Sequence, residues 1–158
     1  MLCLREVCII CNVLLCTWGC VWGCIQTVLG LVVYLAACLF NRSWGHSSEW
    51  GVFFFKRFFG SGVCLGEWII LEGDPFTIDP QSVKHECGHR VQSRLLGPLY
   101  LLVVGIPSFA RNIYDRLVLS KTMTVFERRM WYYSGFPERW ADRLGGVVRD
   151  YLLRGLSV

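Results

Sequence analysis

Charged residues are scarce in this sequence. Only 18% of its 158 residues are Asp, Glu, Lys or Arg, and 54% are hydrophobic, whereas a soluble domain carries about 25% charged residues. This composition excludes a disordered chain and a basic nucleic-acid-binding tail. The net charge of +4 is too small to predict a polyanionic partner, and no nucleotide-binding glycine loop, Ser-His-Asp order or nucleic-acid module is visible. The length fits one compact domain.

The first 40 residues are almost free of charge. Arg5 and Glu6 are the only charged residues there, and residues 7–40 contain none. A helix needs about 20 apolar residues to cross a bilayer. The run therefore predicts a membrane anchor over residues 1–41, either as one span over residues 20–40 or as a hairpin near Gly23.

Cysteine is concentrated in the same region. Cys8 and Cys11 form a C-x-x-C, which is one pattern for a metal or redox site, but residues 7–40 offer no His, Asp or Glu to complete it. We therefore interpret these cysteines as small hydrophobic residues of a membrane helix. Gly19 and Gly23 form a G-x-x-x-G, which indicates pairing of two copies of the chain through this helix.

The predicted anchor is followed by a polar and aromatic stretch and then by two predicted strands. Residues 42–59 are first polar and then aromatic, which predicts a linker and an interfacial stretch. Residues 63–65 and 68–71 predict short strands. The second strand is a candidate for pairing edge to edge with an extended substrate, or else is simply core sheet.

Residues 97–110 form a second apolar stretch that is too short to span a bilayer. It is predicted to be either a buried core segment or a re-entrant or interfacial one. Cations near membrane segments mark the cytoplasmic side, so we expect the folded domain to lie there, against anionic lipid. Cations follow both apolar stretches: Arg42, Lys56 and Arg57 after the first, and Arg111, Arg116 and Lys121 after the second.

Histidine is also scarce, and two of the three histidines fall in one motif. The motif is HECGH at residues 85–89, an H-E-x-x-H inside a helix predicted to begin at an Asp-Pro pair, residues 79–80, and to end at a Gly-Pro pair, residues 97–98. Residues at i and i+4 share a helix face, so both imidazoles can bind one Zn²⁺. Glu86 is then placed to take a proton from water at the open metal position. The alternative is a helix with two surface histidines and a glutamate.

A catalytic zinc site needs a third protein ligand. His46 is one candidate, and Glu138, in the first turn of a helix predicted to begin at Pro137, is the better one. Asp142 lies four residues later on the same helix face, where it can accept a hydrogen bond from a ligand imidazole. The alternative is an ordinary acidic helix start, because carboxylates favour the first turn without any metal.

H-E-x-x-H followed by a helix carrying E-x-x-x-D resembles the pattern of the gluzincin metallopeptidases. The resemblance implies that the two motif histidines and Glu138 bind zinc. It further implies that Glu86 is the general base and that Asp142 orients His85. The fold that it implies is α+β and mostly helical, with the motif helix, a second ligand helix and a short sheet in a zincin-like domain over residues 60–158.

Residues 60–150 also resemble small uncharacterised bacterial membrane proteins of the zinc-peptidase type, through VKHECGHRVQSRLLGPLYLLVVGIPS and FPERWADRLGGV. This implies a zinc peptidase anchored in a bacterial inner membrane, with lipid and an unspecified peptide or protein as partners. Arg90 departs from the pattern, since classical zinc peptidases usually carry an uncharged residue there. The alternative is a non-catalytic membrane interaction protein with the same fold. Four side chains are candidates for stabilising an oxyanion: Tyr114, Tyr132, Tyr133 and Arg139.

Overall fold

The computed structural model describes residues 14, 17–18, 20–40, 43–47, 52–56 and 62–149, and of residues 43–47 it describes the backbone alone. This part of the chain is mostly helical with one small sheet, so the α+β, mostly helical prediction is confirmed. The elements in chain order are α1 Cys24–Phe40, β1 Ser43–Ser47, β2 Val52–Phe55, β3 Gly62–Leu65, β4 Trp68–Glu72, α2 Pro80–Leu96, α3 Ile106–Leu117, α4 Val125–Ser134 and α5 Glu138–Gly145. A 3-10 turn (Gly97–Leu99) and a π-helical turn (Leu101–Gly105) join α2 to α3, and a 3-10 turn (Leu119–Lys121) precedes α4.

Strand β3 lies at one edge of the sheet, whose strand order is β1-β2-β4-β3. Strands β3 and β4 form an antiparallel hairpin through Gly66, whose φ of 63° suits glycine in such a tight turn. Strand β2 pairs with β4 in parallel and with β1 in antiparallel orientation. The two predicted short strands are therefore confirmed. The suggestion that residues 68–71 pair with a substrate is wrong, because β4 is flanked by β2 and β3.

The stretch expected to be a linker and an interfacial segment, residues 42–59, contains strands β1 and β2. Val52, Phe54 and Phe55 are buried in the core of the molecule. Full burial of a large apolar side chain contributes about 1.5–3 kcal/mol, so this aromatic run is stabilised as a core strand and its interfacial interpretation is corrected. Residues 41–42, 48–51 and 57–61 lie outside the described residues.

Helix α2 begins and ends where the sequence predicts. The Asp79 side chain accepts a hydrogen bond from the backbone N–H of Gln81 at 2.9 Å, and Pro80 is the first helical residue. Gly97 follows the last residue with a φ of 52°, which favours glycine. The helix that carries the H-E-x-x-H motif is thus determined by its own caps.

Helix α1 packs on the sheet and on the end of α2. Gly30 permits this close approach, because a Cβ there would lie 2.5 Å from the carbonyl oxygen of Leu65. Gln26 is fully buried, and its Nε2 donates hydrogen bonds to Ser93 Oγ at 3.0 Å and to the Gly97 carbonyl at 2.8 Å. The first turn of α1 is therefore hydrogen-bonded to the C-terminal end of the helix that carries the H-E-x-x-H motif.

In the described part of the chain, no helix combines the length and the hydropathy that crossing a bilayer requires. The single span expected over residues 20–40 is not found in that form, since α1 comprises 17 residues and begins at Cys24. The membrane-anchor assignment of residues 1–41 stays a prediction. Cys8, Cys11 and Gly19 lie outside the described residues.

Residues 97–110 are expected to be either a buried or an interfacial segment. In the structure, one face of this segment is buried and the other is exposed. Tyr100 and Val104 point inward and are buried, and the Tyr100 hydroxyl donates a hydrogen bond to the Cys64 carbonyl at 2.9 Å. Leu102 and Phe109 are 63% and 69% exposed. The segment is thus a wall of the domain with a large apolar outer surface.

Candidate metal centre

The two helices that carry the predicted ligands pack closely against each other through glycines. Gly88, inside the motif, faces the backbone of Ala141 on α5. Gly145, at the end of α5, faces the carbonyl group of Lys84 on α2. A glycine costs a helix interior about 1 kcal/mol relative to alanine, and here it allows the two helix backbones to come within side-chain reach of one cation.

His85, His89 and Glu138 converge on one point. The Nε2 atom of His85 is 3.0 Å from Oε2 of Glu138, and the Nε2 atom of His89 is 3.2 Å from the same oxygen. One ligand atom from each residue lies within 4.8 Å of the other two, and all three residues are buried. This group could hold a metal ion. The three residues also fit one, because Oε1 of Glu138 is buried without a hydrogen-bond partner among the described residues, which a cation would satisfy.

The second ring nitrogen of each histidine is held by a different side chain. Nδ1 of His85 lies 2.7 Å from Oδ1 of Asp142, the pairing that the resemblance implies. Nδ1 of His89 lies 2.7 Å from Oε1 of Gln92, whose Nε2 donates to the Pro137 carbonyl at 3.2 Å. With Nδ1 engaged as a donor, Nε2 of each ring faces the shared point and is the nitrogen that binds a metal once it is deprotonated.

Sequence reasoning missed Gln92 and Arg149. Arg149 donates two hydrogen bonds to Asp142, at 2.6 and 2.8 Å, and its guanidinium lies 3.4 Å from the ring centroid of Tyr133. The Tyr133 ring in turn packs edge-on against His85. A signal for Gln92 was present, since it lies one turn after His89 on the same helix face. No local pattern connects Arg149 to the site.

The hydrogen bonds among these side chains set the pKa values of His85 and Glu138. Burial lowers the pKa of His85, but the hydrogen bonds to Asp142 and Glu138 outweigh it and raise the pKa of the imidazole to about 9. Burial raises the pKa of Glu138, but the hydrogen bonds from the two histidines outweigh it and hold its pKa well below the usual range. In the metal-free protein, a proton on His85 therefore occupies the electrostatic role of a cation.

Glu86 lies beside the ligands rather than among them. It is 7% exposed, and burial raises the pKa of its carboxyl group. Its carboxylate lies against Gly62 of β3, where a Cβ would be 2.7 Å from Oε1, and its Oε2 atom is buried with no hydrogen-bond partner in the described part of the chain. The edge strand therefore leaves room for this carboxylate because it carries glycine at that position.

Two cavities meet at the ligand group, and both have His85 and Glu86 in their walls. One has a volume of about 610 Å³ and is lined by charged side chains of α3 and α4. The other has a volume of about 790 Å³ and is lined by apolar residues of α1, β3, the π-helical turn and α3. Volumes in this range hold a ligand of several residues or a drug-sized molecule. Four more residues line both cavities: Gly62, Asn112, Arg116 and Tyr132.

The remaining predicted residues differ in whether they line the two cavities. Tyr132 lines both cavities and Tyr133 the charged one, whereas Tyr114 and Arg139 line neither and are exposed. Arg90 points away from the ligands and donates to the carbonyl of Glu67 at 3.0 Å. The Arg90 guanidinium is thus bound to the turn that joins β3 to β4. The side chain of His46 lies outside the described residues, so Glu138 is the third ligand that the structure brings to the histidines.

Comparison with known proteins gives no relative to guide the assignment. No protein-family model, no curated protein and no solved structure matches the chain.

Proposed function

We propose that this protein is a zinc-dependent peptidase. The observation that carries the proposal is the convergence of two imidazole nitrogens on one buried carboxylate oxygen of Glu138, with the Glu86 carboxylate beside them at the meeting point of two cavities. Two histidines and one glutamate are a donor set typical of catalytic zinc, which leaves a fourth position for water or substrate. The open space beside Glu86 is consistent with such a position.

Each side chain has a defined part in the proposed hydrolysis. His85, His89 and Glu138 hold the metal, while Asp142 and Gln92 set the orientation of the two rings. Zinc, when bound there, supplies a Lewis acid that acidifies water and polarises a carbonyl group. Glu86 takes the proton of the attacking water and passes it to the leaving amide nitrogen.

Tyr132 is the best supported of the four candidates for stabilising an oxyanion. The hydroxyl of Tyr132 lies 3.5 Å from Ser108 Oγ, and burial keeps its pKa well above the usual range, so the phenol stays protonated. Because Tyr132 lines both cavities with His85 and Glu86, we assign it as the donor to a developing oxyanion. Strand β3 lies at the edge of the sheet and in the wall of the apolar cavity. We therefore propose that β3, and not β4, pairs edge to edge with an extended substrate.

The same protein is proposed to work at a lipid surface, on the cytoplasmic side of a bacterial inner membrane. Large apolar side chains are exposed on α1 and on residues 99–118, and extensive exposed apolar surface marks contact sites for proteins or membranes. Self-association through the N-terminal helix stays a prediction. Exposed apolar residues of the two regions include Val28, Val32 and Leu35 on α1 and Leu102, Ile106 and Phe109 beyond α2.

Metal analysis of three variants tests the proposal. The full chain is purified in detergent, and bound zinc is measured together with chelator-sensitive cleavage of quenched fluorescent peptides. We expect Glu138→Ala to lose zinc, and Glu86→Gln to keep zinc and lose cleavage. Glu127→Gln, which changes an exposed carboxylate at the start of α4, is the matched control and retains both. Zinc bound equally by Glu138→Ala and the parent chain refutes the ligand assignment, whereas bound zinc without cleavage favours the non-catalytic interaction protein.

A further inference from the structure

The substrate class of this site follows from the difference between the two cavities that meet at it. The apolar cavity takes Leu29 and Val33 from α1 and faces them with Ile106, Phe109 and Ile113 from α3. Neither of these two helices contributes a charged side chain to this cavity except Arg116, at its border with the other cavity. A long apolar space therefore leads from between α1 and α3 to His85 and Glu86.

The entrance of this cavity lies on the exposed apolar surface. Leu29 is 41% exposed, Ile106 59% and Phe109 69%, so the residues that line the cavity also reach the outside. Their neighbours Val28 and Leu102, which do not line the cavity, are 60% and 63% exposed. Residues of the cavity wall thus also belong to the surface proposed to contact lipid, which gives an apolar group on that surface an apolar approach to the site.

The charged cavity on the other side of the ligands has the opposite character. Arg128 forms an ion pair with Asp115 at 2.6 Å. Arg116 and Arg129 line the same cavity, and so does the Glu72 carboxylate. This side carries charges of both signs and is suited to a polar segment that stays in contact with water.

We propose that the substrate is a membrane-inserted polypeptide, whose apolar segment enters between α1 and α3 and whose polar, water-exposed segment lies in the charged cavity. The scissile peptide bond is then at the boundary of the two segments, next to Glu86. This inference rests on the proposed peptidase function and adds to it the class of substrate and its route of entry.

A binding experiment without turnover tests this inference. The Glu86→Gln chain is reconstituted in vesicles of phosphatidylcholine and phosphatidylglycerol, and binding of fluorescein-labelled peptides is followed by anisotropy. The first probe joins a leucine-rich half to a glutamine-rich half. The second replaces the leucines by serine, and the third carries the residues of the first in scrambled order. We expect the first probe to bind at least about tenfold more tightly than either of the others, because only the first offers a continuous apolar segment to the apolar cavity and a polar segment to the charged one.

Two matched pairs of variants locate the binding site. Leu29→Asn and Phe109→Asn change residues of the cavity wall, and Val28→Asn and Leu102→Asn change exposed apolar neighbours outside it. We expect the wall variants to weaken binding of the first probe about tenfold and the neighbours to leave it within about twofold. The inference is overturned if the wall variant and its neighbour weaken binding equally in both pairs. Equal binding of the first and second probes also overturns it.

The outcomes also separate this inference from the proposed function. Zinc content and peptide cleavage are measured on the parent chain in the same vesicles. Zinc binding and cleavage that do not discriminate among the three probes leave the peptidase proposal standing and overturn the substrate class. Selective binding of the first probe by a chain that holds no zinc supports the entry route and overturns the peptidase.

Discussion

Gly88 lies directly against the carbonyl group of Ala141, so that a Cβ at position 88 would be only 2.0 Å from that carbonyl oxygen. The contact joins the motif helix α2 to the helix that supplies Glu138. The spacing of the metal ligands therefore depends on a residue that binds no metal.

Gly88→Ala is expected to push α2 and α5 apart. Overpacking of this kind costs about 1–3 kcal/mol, and the displacement moves His89 away from Glu138, so zinc affinity falls together with stability. Denaturant unfolding and zinc titration measure the two effects. Gly105→Ala is the control, because a Cβ there meets Leu101 at an ordinary contact distance of 3.4 Å. A Gly88→Ala chain as stable as the Gly105→Ala chain contradicts the prediction.

Asp142→Asn is expected to weaken zinc binding about 10–100-fold, the usual loss when the carboxylate partner of a ligand histidine is removed. The carboxylate holds Nδ1 of His85 at 2.7 Å and is itself held by Arg149. Competition with a chromophoric chelator gives the affinity. Asp115→Asn, which removes the partner of Arg128 instead, leaves zinc affinity unchanged. Equal losses in the two variants indicate a general effect of charge rather than orientation of His85.

The metal-free protein is expected to lose stability between about pH 6.5 and about pH 9. The pKa of His85 is raised from 6.5 to about 9 in the folded state, so the folded protein binds this proton more tightly than the unfolded chain does. The contribution is fully present below pH 6.5 and is lost as the pH rises through 9; it is on the order of 3 kcal/mol.

Denaturant unfolding of the chelator-treated protein across this range measures the loss. Zinc binding near pH 7.5 displaces the same proton, so calorimetry in buffers of different ionisation enthalpy records release of about one proton per zinc. A His85→Gln chain with the same slope of stability against pH would assign the effect to another group.

Gln26→Leu is expected to destabilise the protein by about 1–3 kcal/mol. The leucine removes the donor to Ser93 and to the Gly97 carbonyl and leaves buried polar groups without it. Val32→Leu, an exposed change on the same helix, stays within about 0.5 kcal/mol of the parent. Chemical denaturation distinguishes the two. If Gln26→Leu unfolds with the parent midpoint, α1 is not part of the cooperative core.

Much of the candidate site could be predicted because its signals are local. The i,i+4 spacing of His85 and His89 places both rings on one face of any helix. The Asp-Pro start and glycine end of α2 depend on backbone chemistry within one turn of each terminus. These features were therefore readable without knowledge of the rest of the fold.

The sheet was harder to read because strand pairing is non-local. The aromatic run at residues 52–55 is equally compatible with an interfacial stretch and with a core strand, and parallel pairing with β4 selects the second. The edge position of β3 depends in the same way on strand order. No single segment carries that information.

The sequence by itself determined the chemical identity of the site: two imidazoles, a neighbouring glutamate and the helix that presents them. Only the tertiary structure decided that Glu138 is their partner, that Gln92 and Arg149 support them, and that an apolar and a charged cavity meet there. The physical reason is the distance along the chain over which each kind of interaction acts. Helix spacing and capping act between residues a few positions apart, whereas the meeting of α1, α2, α3 and α5 depends on which buried surfaces fit together across the whole domain.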